Sequence, residues 1–183
     1  MNYIYETEEI KLRPFCKDDI SSYYLSWFND QEVTKYMSHG LFPYHEKQAI
    51  DFWEKSIENG DLIWSVFVKE NDCHIGNIAL QNFNWINRTA EFAGIIGNKN
   101  YWKKGIATQA IAILFDHGFS KLNLNRIWLG TAETNKGMRK VASKLGMKEE
   151  GRLRKHLFLE DKYIDVVHYG IMKDEWFKWS MYF

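Results

Sequence analysis

Between Glu9 and Phe15 apolar and polar residues alternate, with Ile10 and Leu12 on one side and Pro14 ending the run, which predicts a first strand. Lys17-Asp18-Asp19 puts acid at the start of a helical stretch reaching Trp27, whose inner positions are Ile20, Tyr24 and Trp27. Asn29-Asp30 breaks it, and a short helical piece over Val33 to Met37 and a loop to Pro43 follow. His45 to Glu58 reads as a helix with Ile50, Trp53 and Ile57 on one face, stopped by Asn59-Gly60-Asp61. Three strands come next, Ile63 to Val68, Ile75 to Phe83 and Thr89 to Ile96, and their short turns require an antiparallel meander. Ile106 to Leu122 is the clearest helix, with Ala107, Ala110, Ile111, Leu114, Phe115 and Gly118 forming its apolar stripe. Arg126 to Thr131 returns as a strand, and a strand–helix–strand unit of this kind is parallel and right-handed. Asn135 is placed to cap a helix with Met138, Val141, Ala142 and Leu145 inward and Gly146 at its end. Arg152 to Leu159, a turn at Glu160-Asp161, and Tyr163 to Met172 complete a hairpin. The expected fold is one α+β domain over residues 1–183, with about seven mostly antiparallel strands and about four helices.

Composition agrees with one globular domain: 183 residues, 45% hydrophobic, two prolines and no low-complexity run. Lys+Arg and Asp+Glu are both 24, without the basic excess of a protein that lives on a nucleic-acid backbone. No apolar run reaches the roughly 18 residues of a membrane span, and the acidic start is no secretory signal. Cys16 and Cys73 are far apart, which fits reduced thiols and a cytoplasmic setting, and no His/Cys spacing suits a metal.

The chemistry concentrates at Glu91 to Thr108, a strand, a short loop and a helix start. Unsatisfied N–H groups at a helix N-terminus attract anions. Gly105 lets the backbone approach a phosphate, and Ala107 keeps the first turn uncrowded. A P-loop is excluded by the missing Gly-Lys-Ser/Thr ending, and a dinucleotide fingerprint by the position after a meander. From the residues alone, a plain strand-to-helix turn or a nucleotide-phosphate site also fits this segment.

Here the chain resembles the GNAT superfamily of N-acetyltransferases, and within it the RimJ/RimL-type branch. Trp102-Lys103-Lys104-Gly105-Ile106-Ala107 fills the family's acyl-CoA loop frame, flanked by Tyr101 and Thr108-Gln109-Ala110. Asn135 through Lys144-Leu145-Gly146-Met147, the stretch from Glu150-Gly151-Arg152 to Tyr163-Ile164-Asp165, and Ile10-Lys11-Leu12-Arg13-Pro14 resemble three further blocks. The resemblance implies the GNAT fold, with a parallel strand pair at the acyl-CoA site, and transfer of acetyl from acetyl-CoA to a primary amine, with no metal. It implies a pyrophosphate held by backbone amides of Lys103, Lys104, Gly105, Ile106, Ala107 and Thr108, a pantetheine arm beside Ile95 and Ile96, and Asn135 near the thiol. Lys136, Arg139 and Lys140 would add charge for the phosphates.

Glu91, a carboxylate on an otherwise small and apolar strand, is the candidate base, since an alkyl ammonium with pKa about 10.4 must lose a proton before it can attack. An ion pair with Arg88 or Arg126 is its alternative role. Met138 stands where some branch members place a proton-donating serine, so the acid is sought by residue type among Tyr163, Tyr169 and His156, with Tyr163 carried forward. Trp102 replaces a usually polar loop residue. Trp27, Tyr36, His39, Phe42, Tyr44 and Trp53 are candidates for an acceptor pocket, and no acidic run between Ser38 and His45 marks a polycation site. A small amino-sugar-like amine and a protein N-terminus fit equally as acceptor. A catalytically silent acyl-CoA-binding module is the rival, and the aromatic tail from Trp176 is a candidate homodimer contact.

Overall fold

The computed structural model describes residues 2–179. Its strands form one sheet in the order β1 (Tyr5–Glu6), β2 (Ile10–Pro14), β3 (Leu62–Val68), β4 (His74–Asn84), β5 (Thr89–Ile96), β6 (Arg126–Ala132), β8 (Lys162–Met172), β7 (Lys148–Leu159). Every neighbouring pair is antiparallel except β5 and β6, which are parallel and joined by the crossover helix α3 (Ile106–Ser120). The predicted α+β class and the single parallel pair are therefore both present.

Alternation along the strands builds two cores. One face packs Ile10, Leu12, Trp64, Val66, Ile78, Leu80, Ala90, Phe92, Ile127 and Leu129 under α3, with Ala142 of α4 (Lys136–Lys144) and Trp176 of α5 (Lys173–Trp179). The other packs Phe15, Ile63 and Ile95 under α1 (Ser22–Phe28) and α2 (Glu46–Asn59), through Tyr24, Trp27, Phe28 and Ala49. These helices cover β2–β5, which leaves the outer half of this face, on β6–β8, as the more open part of the sheet. Among the described residues no helix is long and apolar enough to cross a membrane.

Several elements differ from the sequence pattern. The first helix is broken into a 3-10 turn at Lys17–Asp19 and α1, which Ser21 caps by accepting the Tyr24 amide at 3.2 Å. The break follows from Asp19, only 6% exposed, which turns inward to accept from the Cys16 amide at 3.1 Å, Ser65 Oγ at 2.8 Å and both Arg13 terminal nitrogens. Val33 to Met37 is a set of turns, because Asp30 Oδ1 takes the Glu32 and Val33 amides and so few residues cannot nucleate a helix. Ile57 is exposed; α2 buries Ala49 and Ser56 instead, with Ile50 and Trp53 half-buried. The two-residue strand β1 and helix α5 have no counterpart in the expected pattern. Trp176 packs against Phe115 and Phe119 of its own domain, and the tail beyond residue 179 lies outside the described residues.

Burial pushes the Asp19 carboxyl up, but Arg13, the Cys16 amide and Ser65 outweigh it and hold its pKa below the usual value. A depressed folded pKa gives stability that is present above the unfolded value near 3.9 and lost as pH falls through the folded one. Asp19→Ala leaves the Arg13 guanidinium unpaired in a half-buried site and should cost about 3–5 kcal/mol in urea unfolding at pH 7. That deficit should shrink at pH 3, and a loss under 1 kcal/mol at pH 7 would contradict the role given to the pair.

Candidate active site

Strands β5 and β6 share three residue pairs, Thr89–Arg126, Ala90–Ile127 and Glu91–Trp128, and then part. Beyond them β5 stays with β4 as far as Ile96–Gly76, and β6 stays with β8 as far as Ala132–Val166. A wedge opens between the two halves of the sheet. The Gly97 amide donates to the Ile75 carbonyl at 2.9 Å, which makes Ile96–Gly76 a non-bonded pair of the antiparallel ladder. By alternation, the backbone groups of Phe92, Gly94 and Ile96 point into the wedge, while those of Glu91, Ala93 and Ile95 are used by β4. Ile95 thus differs from Ile96: its backbone pairs with Asn77 and its side chain packs against the core under α1 and α2. The Ile96 carbonyl accepts the Trp102 indole N–H at 2.6 Å, which leaves the Ile96 amide as the wedge-facing donor.

Past a 3-10 turn at Lys99–Tyr101 the loop reaches α3 with positive φ at Lys103 (60°) and Gly105 (87°). Such alternation curls successive N–H groups into a concave anion-binding nest. Gly105 caps α3 without a side chain, so the amides of Ile106, Ala107 and Thr108 have no side-chain acceptor there. A Cβ on Gly105 would meet nothing within 4 Å; the space ahead of the loop is open, and the φ alone demands glycine. Ile106 turns its side chain into the core, Ala107 and Thr108 are half-buried, and Lys103 and Lys104 are exposed. Asn135 caps α4 by accepting the Met138 amide at 3.0 Å, which uses only its carboxamide oxygen and leaves the NH2 group to donate elsewhere. Lys136 and Lys140 are exposed on α4. Arg139 is committed to the fold, donating to Tyr169 Oη at 3.0 Å and the Glu133 carbonyl at 3.2 Å.

Glu91 sits at the point of parting, on the face away from α3. Asn82 Nδ2 donates to it at 2.6 Å and Gln81 Nε2 lies 3.5 Å away. A bulge between Gln81 and Asn84, with Asn82 at φ 52°, brings that amide over. Of the two arginines expected as alternative partners, Arg126 pairs with Glu150 instead, and Asn82 holds Glu91. Tyr163 is 67% exposed near the hairpin turn, beyond the end of β6, with its ring tilted against Phe158, and by alternation it shares the α3 side with Val167 and Tyr169. Sequence distance along a hairpin does not reveal which strand overhangs. Tyr169 is buried and bonded to Arg139, His156 is exposed on β7, and Met138 is half-buried, so none of these stands beside Glu91 as a donor.

A family model described as an acetyltransferase (GNAT) domain matches residues 9–148. The chain belongs to the GNAT acetyltransferase family. The uncharacterised N-acetyltransferase p20 of Bacillus licheniformis is 33% identical, over 93% of this chain and 96% of that protein. The spermidine N(1)-acetyltransferase of Escherichia coli K12 is 30% identical, over 91% of this chain and 88% of its own length. The crystal structure of spermidine N-acetyltransferase from Vibrio cholerae, in complex with CoA and spermine, superposes with a TM-score of 0.82 at 26% identity, covering 93% of this chain and 99% of that one. The RimJ/RimL branch is only loosely indicated.

Within this GNAT domain the acceptor side differs from the aromatic wall expected from residue types. Trp27 is core, Tyr44 and Trp53 are half-buried against the same cluster, Phe42 is 78% exposed, and the His39 side chain lies outside the described residues. Tyr36 donates to the Thr134 carbonyl at 3.2 Å and lines a shallow cleft of about 190 Å3 with Lys35, Leu159 and Ile164. The loop is strapped down by Lys35–Glu160 at 2.9 Å and by Lys99, which reaches Asp30 at 2.8 Å and Glu32 at 3.0 Å. Those carboxylates hold the Lys99 ammonium above its usual pKa.

Nearer Glu91, three residues come together that residue type alone did not bring to this site. Trp128, directly across from Glu91, stacks on His168 at 5.7 Å and 12°. Opposite His168 is the exposed Gly130, where a Cβ would sit 3.3 Å from Val166 Cγ1 and 3.5 Å from His168 Nε2. The signal for them is alternation: once β6 and β8 are paired, Trp128, Gly130 and His168 share the face of Glu91.

Proposed function

We propose that this acetyltransferase binds acetyl-CoA in the wedge and loop and acetylates a primary amine bearing a single positive charge, on an amino-sugar-like small molecule or a protein N-terminus. The observation that carries the reading is one carboxylate held by neutral donors at the point where the sheet parts. The chain fits the cofactor at both ends: the wedge presents unpaired amides at Gly94 and Ile96, and the loop presents a nest with open space before Gly105. Amides of Lys103 to Thr108 hold the pyrophosphate, with Lys140 in reach of solvent for the phosphates, and the NH2 of Asn135 serves the thiol end. Bound acetyl-CoA supplies an activated thioester.

Glu91, directly or through a water, takes the proton from the incoming ammonium; a placed base is worth about 10²–10⁴-fold. The Gly94 and Ile96 amides are the donors for the carbonyl oxygen as charge develops on it. Acceptor charge follows from the ion pairs around the face. Asp30 and Glu32 are taken by Lys99, Glu160 by Lys35, and Glu150 by Arg126. A polyamine needs several carboxylates without cations of their own; this face supplies Glu91 and, beside it, Asp61, which shares Asn82 with Glu91 and whose carboxyl is pushed toward the neutral form by burial.

Glu91→Gln should lower kcat about 10²-fold or more, with acetyl-CoA affinity within twofold of wild type. An unchanged kcat takes Glu91 out of the mechanism. Gly105→Val forces a β-branched residue into positive φ and should weaken acetyl-CoA binding more than tenfold by calorimetry. Wild-type affinity in that folded variant would mean the loop is only a turn. The function itself is tested by thiol release from acetyl-CoA with glucosamine, a short peptide with a free N-terminus, and spermidine. One of the two monocations should exceed spermidine at least tenfold in kcat/KM; preference for spermidine overturns the charge argument. Acetyl-CoA binding without thiol release from any of the three would mark a silent acyl-CoA-binding module.

A further inference from the structure

Trp102 lies half-buried on the loop between the wedge and α3, and its side chain carries one polar atom. We propose that its indole N–H is a latch that fixes the phosphate-binding loop at a set distance from the wedge, making Trp102 a positioning residue for the cofactor. The proposal rests on the acetyl-CoA reading above and deepens it.

Three observations support it. The first concerns the end of β5. The Gly97 and Asn98 amides both donate to the Ile75 carbonyl, at 2.9 and 3.1 Å, and so anchor the strand end to β4. The Ile96 carbonyl, by the alternation of the ladder, faces the wedge and has no strand partner there. The Trp102 indole takes it at 2.6 Å, the shortest tie between loop and sheet in this region. The second is the closed turn between them. Tyr101 and Trp102 amides donate to the Asn98 and Lys99 carbonyls at 3.1 Å each, so that Ile96 and Trp102 are the two ends of one clamped segment. Asn71 adds a tie from outside, donating to Tyr101 Oη at 3.1 Å. The third is what comes next. Lys103, next to the latched residue, adopts φ 60°, a left-handed conformation that turns the chain from the clamped segment into the loop. The nest of amides from Lys103 to Thr108 therefore takes its orientation from the segment that the latch closes.

The physical consequence is a matter of register. A ligand with pyrophosphate at one end and a thioester at the other must satisfy the nest and the wedge together. The separation of the two sites therefore enters its affinity even though Trp102 carries no charge. An indole in this place acts through its N–H, and a packing role would act through its rings. Two substitutions separate these. Trp102→Phe keeps an aromatic ring and loses the donor; Trp102→Gln loses the rings and keeps an N–H of similar reach.

The experiment is calorimetric titration of acetyl-CoA into the wild type and both variants, with circular dichroism to establish that each is folded. The latch predicts that Trp102→Phe loses about tenfold in affinity while Trp102→Gln stays within about threefold of the wild type. The opposite order, with Phe tolerated and Gln weak, shows that the ring packs and the latch is absent, and so does an equal loss in both. Should the Phe variant not fold, the Gln variant decides alone: retained affinity supports the latch and a tenfold loss overturns it. Failure of the wild type to bind acetyl-CoA is a separate result, which removes the cofactor assignment and the latch with it.

Discussion

Because β5 and β6 share pairs only over Thr89–Glu91 and Arg126–Trp128, the sheet is continuous at one end and divided at the other. Each strand keeps an outer partner, so the division leaves backbone donors and acceptors unpaired on the inner edges without unfolding anything. Gly94 is exposed and Ile96 half-buried, so water can meet these groups in the free chain and a ligand can take its place. The wedge is thus an unfinished ladder. The crossover helix α3 starts beside its open end because a parallel connection must return the chain to the same edge. The anion-binding N-terminus and the wedge are consequences of one topological step.

The two cores keep this opening stable. Under α3 the large buried side chains Leu114, Phe115 and Phe119 meet both halves of the sheet, through Leu80, Phe92 and Ile127. The halves are therefore held by hydrophobic packing on one face where hydrogen bonds no longer join them. On the other face α1 and α2 stop at β5, with Trp27 packed so closely on Gly97 that no side chain fits there. The side with packing carries stability, and the side with less cover is the one on which the proposed acceptor would enter.

Local pattern was enough to place most of this. The strand Thr89–Ile96, the start of α3 at Ile106, and the Asn135 cap were all legible because each depends on neighbours in sequence. What was not legible depends on pairing. Ile95 and Ile96 look alike in the chain, yet ladder alternation gives one to β4 and the other to the wedge. Residue type points to Tyr163, but only pairing shows that it lies on the overhang of β8 past Ala132. Lys103 occupies a left-handed conformation that its identity does not announce, and Asp19 breaks a helix because Arg13 and Ser65 reach it across the fold.

Two glycines show how the same sheet makes both structure and opening. Gly170 and Gly130 lie on the same face of adjacent strands, two residue pairs apart. Over Gly170 the Glu150 carboxylate, paired with Arg126, occupies the space a Cβ would take, so that hollow is filled by an internal ion pair. Over Gly130 the nearest atoms are Val166 Cγ1 and the edge of His168, and the residue is exposed. The filled hollow commits Arg126 to Glu150 rather than to Glu91. The open hollow borders the parting strands on the side where Trp128 separates Glu91 from His168. Charge pairing at one glycine and open space at the next leave Glu91 beside a shelf of Trp128, Gly130 and His168, with Arg126 committed elsewhere, which is the arrangement that the proposed attack of an amine requires.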